Sequence, residues 1–304
     1  MAGRCTHVAT AASWAGTAAL LAGLGATVGA PAVAASQAAG GERTPPAYTA
    51  VWTPRAPVLD GVLEEEVWAA APWTAPFVDI RGEGHPAPAH ETVARMLWDD
   101  THFYVGAWLA EPHLWGTLVE RDAIIYRDDD FEVFLDPDGD GLAYYELEIN
   151  VLGTEFDLFL DRPYSRGGRA YIEWNMPGLR SAVRLEGTPN DPADRDRGWW
   201  VEIAIPWRDL VPPDSVPVPT GAGAETSAGV MPGPGLAPRD GDVWRVNFSR
   251  VDWPLAVVEG AYRKAAEPTP ENRHPEHNWV WAPQGVIDMH LPEHWGFVTF
   301  RRRP

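Results

Sequence analysis

Asp129-Asp130-Phe131-Glu132-Val133-Phe134-Leu135-Asp136 and, a short Asp/Gly turn later, Tyr144-Tyr145-Glu146-Leu147-Glu148-Ile149-Asn150 decide the fold of this chain. Successive side chains of an extended strand point to opposite faces, so residues two apart share a face. In the first stretch Glu132, Phe134 and Asp136 fall on one side, with Phe131, Val133 and Leu135 on the other. In the second, Glu146, Glu148 and Asn150 share a face while Leu147 and Ile149 turn inward. Both read as strands with one apolar and one polar face.

The same rhythm recurs outward in both directions. Thr92 to Leu97, Phe103 to Leu109, Phe156 to Leu160, Trp199 to Ile205, Val243 to Val251 and Gly296 to Phe300 are short apolar runs bounded by turn residues. Trp200 and Glu202 oppose Val201 and Ile203; Arg245, Asn247 and Ser249 oppose Val246 and Phe248. Helical periodicity is confined to Val62 to Ala70, opened by Asp60-Gly61 and closed before Pro72. This pattern predicts an all-β protein: an antiparallel β-sandwich of the two-sheet, jelly-roll or immunoglobulin-like type, with one short helix. Val211 to Pro238 is built of Pro, Gly, Ala, Ser and Thr between two strong strands. It reads as a long surface insertion (211–238), with a linker between two domains as the alternative.

The N-terminus has the order of an export signal. Arg4 precedes a weakly apolar stretch, Trp14 to Gly29, which runs into an Ala-x-Ala site near Ala32-Val33-Ala34. Residues 1–35 are read as a signal peptide, 36–50 as a linker and 51–302 as the sandwich, giving a secreted or periplasmic protein with no membrane association after cleavage. Hydrophobic residues make up 45% of the 304, which is globular composition. Acidic residues outnumber basic ones 43 to 24, a charge of −19 that repels phosphate backbones and anionic lipids. Nucleic acid is therefore excluded as a partner. The one cysteine, Cys5, excludes an internal disulfide and a Cys-based zinc site. Sixteen Trp suit a large aromatic core, an aromatic ligand platform, or both.

Any one of these polar residues reads as part of a solvated outer sheet face; taken together, carboxylates, amides and an Arg beside many aromatic residues read as a polar ligand surface. Between the two opening strands, Asp136-Pro137-Asp138-Gly139-Asp140-Gly141 has the Asp, Asp, Asp, Gly opening of a calcium loop. The match stops there, since Leu147 stands where the closing Glu belongs, and an Asp/Gly hairpin turn has the same composition.

Leu59-Asp60-Gly61 to Trp68, then Trp98-Asp99-Asp100, Asp129 to Asp136, Glu202-Ile203-Ala204-Ile205-Pro206-Trp207, Val246-Asn247-Phe248 and Trp295-Gly296-Phe297-Val298 follow one another in an order that resembles the family 9 carbohydrate-binding modules. The resemblance covers roughly Val51 to Phe300. It implies a non-catalytic β-sandwich with structural calcium and a slot in which two aromatic rings clamp a terminal sugar. The family's first ring lies six residues before a strand Glu that bonds sugar hydroxyls, which here gives Tyr126 and Glu132. Its second ring follows an Asn by three residues, which gives Asn278 and Trp281. Where the family places an Arg after the hairpin, this chain has Glu148. A pyranose offers C–H groups to a ring face and hydroxyls at its edge, so rings plus polar groups suit it.

The resulting expectation is an exported carbohydrate-binding protein. Tyr126 and Trp281 stack on an oligosaccharide or polysaccharide end, Glu132, Glu148 and Asn278 bond its hydroxyls, and Asp136, Asp138 and Asp140 hold calcium, with a glycoside hydrolase as a partner in trans. The alternative for Trp281 is the core, since it shares a strand face with Trp279. Three other readings use different residues. Glu132, Glu146, Glu148, Asp157 and Glu202 are candidates for the acid and base of a glycoside hydrolase. Met96, Met289 and His290 are the groups a haem would need. His274, His277, His290 and His294 crowd the C-terminal third, although Pro292 denies the last two a helical zinc spacing.

Overall fold

The computed structural model describes residues 44–216 and 233–302. The expected export signal, the expected linker up to residue 43 and the middle of the expected insertion lie outside the described residues. In chain order the strands are β1 (Ala47–Trp52), β2 (Val78–Asp79), β3 (Thr92–Trp98), β4 (His102–Ala110), β5 (Asp130–Asp136), β6 (Tyr144–Asn150), β7 (Glu155–Leu160), β8 (Ala170–Tyr171), β9 (Arg180–Glu186), β10 (Gly198–Pro206), β11 (Val243–Asp252), β12 (Leu255–Val258), β13 (Ala261–Lys264), β14 (His277–Val280) and β15 (Gly296–Arg301). A single helical turn, α1 (Glu66–Ala69), falls between β1 and β2.

The main sheet runs β8-β7-β6-β5-β11-β15-β1-β3-β4-β10-β9, with β14 attached to β11 and β2 to β14; β12 and β13 form a separate hairpin. Its two arms close over a common interior. Met96, Val105 and Ile203 from β3, β4 and β10 share one buried cluster with Val133, Leu147 and Phe248 from β5, β6 and β11. The fold is thus the expected β-sandwich. It is antiparallel everywhere except at β1, which runs parallel to both β15 and β3. Parallel neighbours need a long return connection, and residues 53–91, including α1, supply the one to β3.

Three details differ from the sequence expectation. Order begins at Ala47 rather than Val51, because β1 pairs with β15 from Ala47 opposite Phe297 onward. The helix is shorter than Val62 to Ala70. The Glu202 carboxylate accepts hydrogen bonds from the Asp60 and Gly61 N–H groups (3.0 and 2.8 Å) and from Trp68 Nε1 (2.9 Å), which pins the preceding segment as a turn. Gly61 there has φ of 76°, and a Cβ would lie 2.6 Å from Arg184 Cβ, so only glycine fits. The described ends of the Pro/Gly stretch are tied to the body: Val216 is buried in the main core, and Gly235 N–H donates to Leu210 O.

Candidate functional site

The polar faces of β5 and β6 and one face of β7 floor a cavity of about 550 Å³. Strand register sets Glu132 opposite Glu148 and Phe134 opposite Glu146. β7 then places Phe156 beside Glu148 and Leu158 beside Glu146. The floor is therefore half carboxyl and half apolar. Below the apolar half, Phe134, Tyr144, Phe156, Leu158, Met289 and Trp295 form a second buried cluster, so this face of the sheet is walled rather than simply wet. The walls come from loops: Tyr126 in a 3₁₀ turn before β5, Tyr164 after β7, Trp253 just past β11, Asn278 on β14, and His290 before β15.

Tyr126 is held through its backbone. Its N–H donates to Glu148 Oε2 (2.8 Å) and its carbonyl accepts Trp253 Nε1–H (3.0 Å). The ring is left 45% exposed at the cavity. Tyr164, 48% exposed, stands edge-on to His290 with ring centroids 4.5 Å apart. His290 Nδ1 lies 3.1 Å from Tyr144 Oη, and its Nε2 lies 4.0 Å from Glu146.

The floor is electrostatically unusual. Burial pushes the Glu132 carboxyl up to about 7, with the Glu276 charge adding to it. Glu146 and Glu148 are raised well above the carboxylate range by burial and by the Glu132 charge. Asp130, beneath them, is raised by burial and by the charges of Glu132 and Glu148. Burial holds His290 down at about 4, so this imidazole is neutral at pH 7; Arg273, which is exposed, is the guanidinium in the cavity lining.

Four of the five residues expected to contact ligand, Tyr126, Glu132, Glu148 and Asn278, line this one cavity. The fifth does not. Trp281 is 6% exposed in the main core, edge-on to Tyr48 (6.5 Å) and tilted on Phe248 (5.9 Å). Its six-membered ring presses on Gly296, where a Cβ would lie 2.4 Å from Cζ3. Asn278 and Val280 face the cavity side while Trp279 and Trp281 face the main core, so an Asn-to-Trp step of three residues lands on the opposite face. Tyr164, Trp253, Glu276 and Asp130 were missed. Trp253 continues the parity of Ser249 and Val251 by one more step and was within reach of the alternation argument. Tyr164 sits in an aperiodic turn that gives no such signal.

The other candidates separate. Of the carboxylates read as an acid and base pair, Glu132, Glu146 and Glu148 share the cavity. Asp157 is committed to Arg121 Nη2 (3.0 Å) and Met176 N–H (2.8 Å), and Glu202 anchors the Asp60 turn on the other arm. Met96 lies in the main core, whereas Met289 belongs to the cluster under the cavity. His274 and His290 line the cavity; His277 stacks on Trp279 (5.5 Å) and His294 is exposed. Among the described residues, the clusters able to share a metal contain carboxylates and no histidine.

One such cluster is the expected calcium loop. Asp136, Asp138 and Asp140 each offer an oxygen within 4.8 Å of the others, about twice a calcium–oxygen bond of ~2.4 Å. Asp136 accepts N–H groups of Gly139 and Gly141 (both 2.9 Å), and Asp140 accepts that of Leu142 (2.8 Å), so the turn also closes on its own amides. Each carboxylate keeps lone pairs beyond these bonds, and the all-oxygen donor set fits a hard cation.

Sheet, walled face and recessed carboxyls are those of a β-sandwich binding module. The family model for carbohydrate family 9 binding domain-like proteins matches residues 59–222, more than half of the chain, and the chain belongs to that family. It is 27% identical over 165 residues to an exoglucanase XynX of Acetivibrio thermocellus, a stretch covering 54% of this chain and 13% of that protein. A family 9 carbohydrate-binding module from Caldicellulosiruptor kristjanssonii has the same fold. Its complex with cellotriose superposes with a TM-score of 0.51 at 14% identity, covering 85% of this chain and 95% of the module. Its complex with glucose gives 0.50 at 15%, covering 85% and 97%.

Proposed function

We propose that this protein is an exported, non-catalytic carbohydrate-binding module whose ligand site is the cavity on β5, β6 and β7. The observation that carries the reading is the meeting of an exposed ring, Tyr126, with the in-register pair Glu132 and Glu148 and the amide of Asn278 in one cavity. Tyr126 stacks on a sugar face, and the carboxyls and the amide exchange hydrogen bonds with its hydroxyls. Since Trp281 is in the core, the second ring contact falls to Tyr164, the other exposed aromatic in the lining. The calcium of the family's sandwich would sit on Asp136, Asp138 and Asp140 at the β5–β6 turn. A glycoside hydrolase supplied in trans would be the natural partner.

Titrating the protein with a panel of mono- and oligosaccharides while following tryptophan fluorescence tests this. A saturable response that weakens about tenfold in Tyr126→Ala supports it, each base- or sugar-sized stacking contact being worth ~1–2 kcal/mol. A flat response across the panel would refute it. One observation favours a second reading: three carboxyls of raised pKa share the cavity, which is also the equipment of a glycosidic acid and base. Release of reducing sugar, lost in Glu132→Gln, would convert the module into a hydrolase.

A further inference from the structure

The floor of the cavity holds more carboxyl groups than a sugar needs. Asp130, Glu132 and Glu148 each bring a carboxylate oxygen to within 4.8 Å of the others, and all three are buried. Asp130 is 0% exposed and lies at the start of β5, below the pair that lines the cavity. Its Oδ1 accepts the Val251 N–H at 3.1 Å, while its Oδ2 has no hydrogen-bond partner. Beside the triad, Glu146 is buried in the cavity lining, shares a hydrogen bond with Glu148 and has His290 Nε2 at 4.0 Å. Ser249, opposite Glu132 on β11, directs its buried hydroxyl at the Glu132 carboxyl. Buried polar atoms left without partners are rare, and each calls for an explanation.

Arg273, which is exposed, and His274 also line the cavity, but among the described residues no ion pair joins an arginine or lysine to the floor carboxyls. The pair that reaches them is His290, whose pKa burial lowers to about 4. Glu148 also stands where the resembled modules carry an arginine. Carboxylates this crowded and this dry are stable either as shared-proton acids or around an ion. The unpartnered Asp130 Oδ2 favours the ion, since a shared proton would give that oxygen a partner. The oxygens of Asp130, Glu132 and Glu148 lie within 4.8 Å of one another, no farther apart than ligands on opposite sides of a calcium-class cation with bonds of ~2.4–2.6 Å.

We propose that Asp130, Glu132 and Glu148 form a divalent-cation site of the calcium class on the floor of the cavity, separate from the Asp136 turn. Three carboxylates supply three to six of the ~6–8 oxygens such an ion takes, and the remaining positions open toward the cavity. Two neighbouring hydroxyls of a sugar can fill them, so the ion does the donor's work that an arginine would otherwise do. This last step rests on the carbohydrate reading above; the ion site itself does not. An ammonium ligand such as an amino sugar fits less well. Its ring would have to be buried for the nitrogen to reach Asp130, which has no exposed surface.

The test uses the full mature chain, stripped with EDTA, with calcium titrated calorimetrically at pH 7. Variants are Glu132→Gln/Glu148→Gln for the floor and Asp138→Asn/Asp140→Asn for the turn. The floor variant keeps the shape of both side chains and removes two crowded charges, and a cooperative thermal melt verifies its fold. The expected result is a calcium-binding event that persists in the turn variant and disappears in the floor variant. Equal calcium stoichiometry in wild type and floor variant would overturn the site. So would glucosamine binding to EDTA-stripped wild type that the floor variant lacks, which would make the triad an ammonium site. Saccharide titration with and without calcium then separates the two proposals. Affinity at least tenfold weaker in EDTA supports the ion bridging to sugar. Calcium binding with no saccharide response keeps the ion site and overturns the carbohydrate reading. Saccharide binding indifferent to EDTA keeps the module and overturns the bridge.

Discussion

Replacing Trp281 by alanine separates core from binding site more sharply than any other change. An indole that is 94% buried, as the 6% exposure of Trp281 requires, removes on the order of 200 Å² of side chain from water. At ~25 cal/mol per Å² this corresponds to ~5 kcal/mol, an upper figure because denatured chains are already partly compact. Measured truncations of large core aromatics cost ~3–5 kcal/mol, the cavity term included. Here the hole would open between Tyr48, Phe248 and Gly296, and the backbone of Gly296 is fixed in β15 and cannot move in to fill it. For a domain of this size the loss lowers the melting temperature by roughly 6–20 °C. Differential scanning calorimetry of Trp281→Ala beside Tyr126→Ala is the assay. Trp281→Ala should melt early yet bind saccharide with unchanged affinity below its transition, whereas Tyr126→Ala should melt as wild type and bind weakly. A Trp281→Ala protein that melts within a degree or two of wild type and no longer binds would refute the core assignment, and with it the placement of the cavity.

Three further outcomes follow from groups outside that ring. Glu202→Gln keeps one acceptor oxygen for the Asp60 and Gly61 N–H groups but sets its amide N–H against Trp68 Nε1–H, and should cost ~1–3 kcal/mol in urea unfolding while leaving ligand binding intact. An unchanged urea midpoint would refute the anchor. Arg250→Ala leaves Glu111 and Asp252 buried without their guanidinium and should cost ~3–5 kcal/mol, with the loss growing as pH rises through the Glu111 value of about 8. A loss that does not vary with pH would contradict this. His290 is depressed from 6.5 to about 4, so the unfolded chain takes its proton first. Its contribution to stability is complete above pH 6.5 and is lost as pH falls toward 4, roughly 3 kcal/mol in all. The stability difference between wild type and His290→Gln should shrink over that interval; a constant difference would place the imidazole in water.

The strands of the two sheet arms were legible because their buried and polar faces alternate without a break, as in β5, β6, β10 and β11. β9 was not legible, for none of its residues is buried and no period is imposed on an edge. β1 was read as linker up to Ala50 because its partner, β15, lies at the opposite end of the chain. For the site, alternation found the floor, Glu132, Glu146 and Glu148, and the family spacing found Tyr126 and Asn278. Trp281 lies in the core because a step of three from Asn278 crosses to the other face of the strand, the face it shares with Trp279. Its N–H to Phe248 O prolongs the pairing of β14 with β11. Asp130 lay in the opening motif, but its meaning depends on which neighbours leave Oδ2 alone, and only packing decides that.

The placement of β1 between β15 and β3 has a consequence for how the molecule is assembled in time. The two arms of the sheet meet at that one parallel seam, so neither arm alone encloses the interior. A chain emerging from the N-terminus can form the β3–β4 and β5–β6 hairpins early, yet Ala47 to Val51 have no strand to pair on one side until Phe297 to Arg301 are available. Closure is then a late, long-range event with a slow search, and the aromatic interior stays open to water or to chaperones until it happens. Trimming either terminal strand would unzip the seam and release two half-sheets, each with a bare edge, rather than yield a smaller sandwich.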